Sequence, residues 1–227
     1  MANARPTVAL IHASEASMAP AVAAFGDEFP DADLWHLLDN RLVSDADAAG
    51  GLTESLHARM STLIQYAVDG GADAVQLSCS MYGPVARDAA ARLPVTVLAS
   101  DQAMFDHVVA LRPGRIALLA SLASAGADSA QRLEAWLAAA GVESDIETRV
   151  VAGAAAAASA GDLDELTRLM AAEAVDVSGS VDVVVLAQYS LAPALLGIAG
   201  AVHLPVLSAP HLAAASLSRQ LGEKVAP

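Results

Sequence analysis

The chain repeats itself, and the repeat limits what it can become. DAVQLSCSMYGP at 73–84 aligns without gaps on DVVVLAQYSLAP at 182–193, so Asp73 pairs with Asp182, Leu77 with Leu186 and Pro84 with Pro193. RPTVALIHAS at 5–14 resembles RPGRIALLAS at 112–121, and LPVTVL at 93–98 resembles LPVLS at 204–208. Ser14 to Ser121 is an offset of 107 residues, Pro84 to Pro193 one of 109 and Leu93 to Leu204 one of 111. Three matches in one order at nearly constant spacing predict two similar halves made by internal duplication.

Within each half, short apolar runs bounded by Gly and Pro alternate with helical patterns, which predicts parallel-sheet α/β architecture. Strands are expected at 8–12, 34–38, 74–77, 95–98, 116–119, 142–151, 183–187 and 204–207. Helices are expected at 20–25, 53–69, 85–93, 102–111, 129–140, 162–174 and 210–221. Residues 37–45, with Asn40 and several acids, read as a polar loop. The first domain is expected to comprise 1–100 plus 208–227 and the second 101–207, with a site in the cleft between them.

A net charge of −14 with scattered arginines argues against nucleic acid and against anionic membrane surfaces. Local donors in a cleft can still hold a small anion against that screened charge. The longest apolar run, 183–202, is interrupted by Gln188, Tyr189, Ser190 and Pro193, so strand, turn and helix are expected rather than a membrane span. The N-terminus has no basic region followed by an apolar signal core, which favours the cytoplasm. Lys224 is the only lysine and sits in an expected frayed tail, a poor place for a pyridoxal phosphate Schiff base.

Cys79 is the only cysteine, so no internal disulfide forms and the thiol is either packed or reactive. It stands where an apolar strand meets turn residues, the end at which open α/β sheets bind ligands. In the repeat, Gln188 takes its place. GxGxxG, P-loop, CxxC and HExxH are all absent, and His36, His57, His107, His203 and His211 lack metal-ligand spacing, so no metal ligand is assigned. His211 follows the last strand, within reach of the expected cleft.

Two α/β halves with Ala-Asp-(apolar)-Cys-Ser at a strand end in one, and a related segment in the other, resemble the Asp/Glu/hydantoin racemase superfamily along essentially the whole chain. That family holds amino-acid and hydantoin racemases, maleate isomerases and arylmalonate decarboxylases, so the resemblance implies an enzyme that needs no cofactor. Its racemases carry a cysteine at each repeated strand end, facing each other across the substrate. Cys79 matches the first, and Gln188 departs from the second. Arylmalonate decarboxylases also keep a single cysteine, in the other half.

Removing a proton beside a carboxylate needs a base and donors for the enediolate that forms. Cys79 is the expected proton donor or acceptor, although an ordinary thiol of pKa about 8.5 is only a few per cent thiolate at neutral pH. A helix N-terminus near Val85 is expected to lower that value. The backbone N–H groups of Ser80, Met81, Tyr189 and Ser190, the hydroxyls of Ser14 and Ser121, and the Gln188 amide are the expected substrate-binding groups. The Ser14 and Ser121 hydroxyls are taken as equivalent ends of the first strand in each half. Gln188 is no acid or base near neutral pH, so symmetric two-thiol racemisation is disfavoured and His12, Tyr82 and Tyr189 are candidates for a second group. The expected activity is a racemase or isomerase moving a proton α to the carboxylate of a small organic or amino acid. A cofactor-free decarboxylase or lyase using Cys79 as sole proton donor, and a non-catalytic small-acid binding protein, are the alternatives. A homo-oligomer is left open.

Overall fold

The structure, a computed structural model, describes residues 5–225, the side chains of 223–225 excepted. Residues 1–4 and 226–227 of the first expected domain, and the side chain of Lys224, therefore lie outside the described residues. The chain divides into two compact units, Met1–Ala103 with Ala213–Pro227, and Met104–Leu212.

Unit 1 runs β1 (Thr7–His12), α1 (Met18–Glu28), β2 (Asp33–Leu38), α2 (Leu42–Ala49), α3 (Glu54–Asp69), β3 (Ala74–Leu77), α4 (Gly83–Ala90) and β4 (Thr96–Leu98). Helix α5 (Gln102–Leu111) leads into unit 2, which runs β5 (Arg115–Ala120), α6 (Ala123–Ala139), β6 (Asp145–Val150), α7 (Ala154–Ala160), α8 (Leu163–Val177), β7 (Val183–Leu186), α9 (Leu195–Ala201) and β8 (Val206–Ser208). Helix α10 (Ala209–Val225) returns the chain to unit 1. Each unit holds a four-stranded sheet, ordered β2-β1-β3-β4 in one and β6-β5-β7-β8 in the other, and every neighbouring pair is parallel.

The central strands are buried along their whole length, β7 as an unbroken apolar run and β3 with Gln76 as its one polar residue. Ala74–Leu77 and Val183–Leu186 are buried at every position. Full burial of each such Val or Leu contributes about 1.5–3 kcal/mol. Helix α3 begins at Thr53, whose Oγ1 accepts from Leu56 N at 3.3 Å, and it buries Leu56, Met60, Ile64 and Ala67 on one face. Its end must be glycine, since a Cβ on Gly70 would come within 2.5 Å of the Trp35 ring. Helix α8 is capped the same way, by Asp162 accepting from Glu165 N.

The repeated aspartates are structural. Asp73 Oδ2 accepts from Thr7 N at 2.8 Å, and Asp182 Oδ2 accepts from Gly114 N and Arg115 N, each at 2.8 Å. Each carboxylate thus ties the start of its unit's first strand to the strand beside it.

Two helices, α2 and α7, stand where none was expected. Residues 37–45 do not form a loop: α2 starts at Leu42, and Arg59 reaches Asp39 at 2.6 Å and Asp45 at 2.7 Å, which neutralises the acids that made the segment look solvated. Helix α7 lies in an alanine-rich stretch whose helical periodicity is invisible. The run 183–202 forms β7, a 3-10 segment and α9. Among the described residues no helix is long and apolar enough to cross a membrane.

Candidate functional site

In each unit the third strand in chain order ends in the same local device. After β3, Cys79 has extended backbone (φ −116°, ψ 119°) and leads into a 3-10 turn at Ser80–Tyr82 that continues as α4. After β7, Gln188 has extended backbone (φ −138°, ψ 147°) and leads into a 3-10 segment at Tyr189–Ala194. Tyr82 N donates to Cys79 O at 3.3 Å, and Leu191 N donates to Gln188 O at 3.1 Å. The N–H groups of Ser80 and Met81, like those of Tyr189 and Ser190, stand ahead of the first hydrogen bond of the turn, where no turn carbonyl can accept from them. Cys79 is half-buried against the unit 1 core, and Ser80 and Met81 are half-buried beside it. Tyr189 is buried and Ser190 half-buried.

The helix after Cys79 starts earlier than expected. The 3-10 turn begins at Ser80 and α4 at Gly83, with Pro84 in its first turn, so the turn's N-terminus lies next to the thiol rather than near Val85.

Gln188 is locked by Ser121. Its Oε1 accepts from Ser121 N and from Ser121 Oγ, both at 2.9 Å. A backbone N–H can only donate, so this contact identifies the amide oxygen and leaves the amide NH2 as the outward group. That NH2 has no partner among the described residues.

Ser14 and Ser121 are not equivalent. Ser78 N donates to Ile11 O, and Ala187 N donates to Leu119 O, so Ile11 corresponds to Leu119, an offset of 108 rather than 107. On that register Ser121 matches Ala13, and Ser14 matches Leu122. Both of the latter are extended N-cap residues, of a 3-10 turn in one unit and of α6 in the other. Ser14 is exposed, and its Oγ accepts from Ala16 N at 3.3 Å. It borders a shallow depression of about 430 Å³ lined by Ala13, Ser14, Glu15, Asn40, Val43, Ser44 and Asp47.

Two of the three candidates for a second acid or base are corrected. Tyr82 is fully buried and its hydroxyl donates to Leu42 O at 2.9 Å; burial first, then the charge of Cys79, pushes its pKa up to about 12. It braces the Cys79 turn against α2 and holds its proton. His12 is fully buried at the end of β1, and burial, then its neighbour His36, pushes its pKa down to about 4. Both of its ring nitrogens are within hydrogen-bond distance of protein partners, Ser17 and Ser78 on one side and His36 on the other, and the ring is wholly buried, so neither nitrogen is offered to a substrate. His211 Nδ1 lies 3.1 Å from Ser208 Oγ at the start of α10.

The four-membered cluster around His12 was not legible in the sequence. His12 Nδ1 lies 2.9 Å from Ser17 Oγ and 3.1 Å from Ser78 Oγ, and its Nε2 lies 3.0 Å from His36 Nδ1. His12 and His36 sit on neighbouring strands two residues out of register, a proximity that appears only once β1 and β2 are paired.

No protein-family model and no curated protein matches the sequence. Solved structures do. An allantoin racemase from Klebsiella pneumoniae matches with a TM-score of 0.70 at 13% identity, over 97% of this chain and 89% of that one. A Picrophilus torridus aspartate racemase matches with a TM-score of 0.67 at 13% identity, over 96% and 94%. An arylmalonate decarboxylase matches with a TM-score of 0.60 at 16% identity, over 97% and 94%. The chain has the α/β fold that these proteins share.

Proposed function

We propose that the chain is a racemase- or isomerase-type enzyme that moves a proton α to the carboxylate of a small organic or amino acid, without a cofactor. Cys79 is the proton-transferring group. The N–H groups of Ser80, Met81, Tyr189 and Ser190 and the Gln188 amide are assigned to substrate binding. Ser121 holds that amide in its donating orientation, and Ser14 contributes its hydroxyl. The reading includes a cytoplasmic setting, where reducing conditions keep a lone thiol from oxidation.

The observation that carries the reading is the position of Cys79: at the carboxyl end of a buried parallel strand, opening a helical turn, in a fold shared with racemases. A strand-end thiol beside oriented N–H groups supports proton transfer to or from a carbon whose negative charge spreads onto a carboxylate. Gln188 supports one-sided chemistry. Its oxygen is committed to Ser121, so it offers donors to the growing enediolate and no base. That asymmetry, together with the fold shared with arylmalonate decarboxylase, favours a second reading, decarboxylation with Cys79 protonating the resulting carbanion.

Deuterium oxide separates the two. A racemase or isomerase exchanges the α-hydrogen of recovered substrate, whereas a decarboxylase places deuterium where CO2 departed. A protein that gains thermal stability from small carboxylates and turns none of them over is instead a binding protein.

A further inference from the structure

We propose that His12 is the positioning residue of the Cys79 end, clamping together the two loops that carry Ser14 and Cys79. The assignment rests on the reading of Cys79 as the reacting group. Ser17 Oγ donates to Ser14 O at 2.8 Å, so its lone pairs face His12 Nδ1 at 2.9 Å and Ser78 Oγ at 2.9 Å. His12 therefore carries its proton on Nδ1 and donates it between Ser17 and Ser78, while Nε2 accepts from His36 Nδ1–H at 3.0 Å. Ser17 lies in the turn that Ser14 opens, and Ser78 immediately precedes Cys79. One buried imidazole thus joins the β1–α1 loop to the β3–α4 loop, and the half-buried His36 holds its other edge.

The duplication supplies an internal control. Register places Ala120 where unit 1 has His12, Thr148 where it has His36, and Ala187 where it has Ser78. In unit 2 helix α6 closes down directly on this place: a Cβ on Gly126 would meet Thr148 Cγ2 at 2.8 Å and Ala120 Cβ at 3.1 Å. The same strand ends are therefore built elsewhere in the chain from small side chains alone. Burying an imidazole and hydroxyls costs free energy unless every group is satisfied, and a satisfied network rigidifies its surroundings. Unit 1 has such a network, and unit 1 carries the thiol.

The test reads the thiol without any substrate. Cys79 is the only cysteine, so the rate of its alkylation by iodoacetamide at pH 7 reports one site. An asparagine side chain puts an amide donor where Nδ1 stands, and a glutamine puts its end group where Nε2 stands. His12→Asn is expected to keep the alkylation rate within about twofold of the parent, while His12→Gln slows it about fivefold or more. Ser78→Ala, which copies the alanine at the matching place in unit 2, is expected to slow it similarly and guards against a misfolded histidine variant. An unchanged or raised rate in His12→Gln and Ser78→Ala, or a loss in His12→Asn as large as that in His12→Gln, would overturn the clamp. A histidine-dependent thiol in a protein that turns over no carboxylate would refute the proposed enzyme and leave the clamp standing.

Discussion

The side-chain oxygen of Gln188 accepts hydrogen bonds from both the backbone N–H and the hydroxyl of Ser121, each at 2.9 Å. The contact decides what Gln188 can do. With its oxygen occupied, the residue presents two N–H donors, the complement of a carboxylate or an enediolate. Gln188→Glu retains an acceptor for Ser121 but presents an anionic oxygen in place of the donors. It is expected to lower kcat/KM about 10²-fold, the usual loss for a donor aimed at developing charge. Ser121→Ala keeps the backbone contact and is expected to cost less, about tenfold. Steady-state kinetics of both variants checks the order, and equal values for both would detach Ser121 from Gln188.

Tyr82 belongs to the frame. Its hydroxyl is buried on Leu42 O, and its pKa is pushed up to about 12. Tyr82→Phe is expected to lower stability by about 1–3 kcal/mol, because the Leu42 carbonyl loses its partner. The pH profile of turnover should not move. Urea unfolding and a pH-rate series read the two effects separately.

His12 links stability to acid. The folded protein keeps its imidazole neutral down to about pH 4, because burial and His36 disfavour the cation, whereas the unfolded chain takes up the proton near pH 6.5. The contribution is therefore whole above pH 6.5 and is lost as pH falls towards 4, with a magnitude on the order of 3 kcal/mol. His36 shifts in the same direction through burial. Urea unfolding between pH 4.5 and 7.5 should show a shallower acid loss in His12→Asn than in the parent.

The repeated aspartates offer a control without chemistry. Asp182 accepts from two backbone N–H groups and Asp73 from one. Asp182→Ala is expected to cost about 2 kcal/mol of unfolding free energy and Asp73→Ala about 1 kcal/mol, with kcat unchanged in both. Denaturant midpoints alongside initial rates check this.

How much of this was legible depended on whether the signal was local. β3 and α5 have the expected limits, because an apolar run between Gly and Pro and an amphipathic stretch announce themselves. Helix α2 was hidden by Asp39 and Asp45, whose partner Arg59 lies on another helix. Helix α7 is almost pure alanine, which favours helix but shows no face. The pairing of Ser14 with Ser121 failed by a single residue, because Ala-Ser recurs at both places while the strands pair at an offset of 108. One residue of slip turns a strand side chain to the opposite face. Cys79 and Gln188 were visible as a matched pair, but the lock on Gln188 and the cluster around His12 join residues from separate strands.

The central claim is that Cys79 moves a proton on a carbon beside a carboxylate. Its most direct measurement is proton NMR in deuterium oxide, following α-hydrogen exchange in a panel of small amino and hydroxy acids with the parent and Cys79→Ala. The account predicts exchange in at least one acid with the parent and a rate about 10² to 10⁴-fold lower in the variant. Undiminished exchange in Cys79→Ala, or none with the parent in any acid, would contradict it.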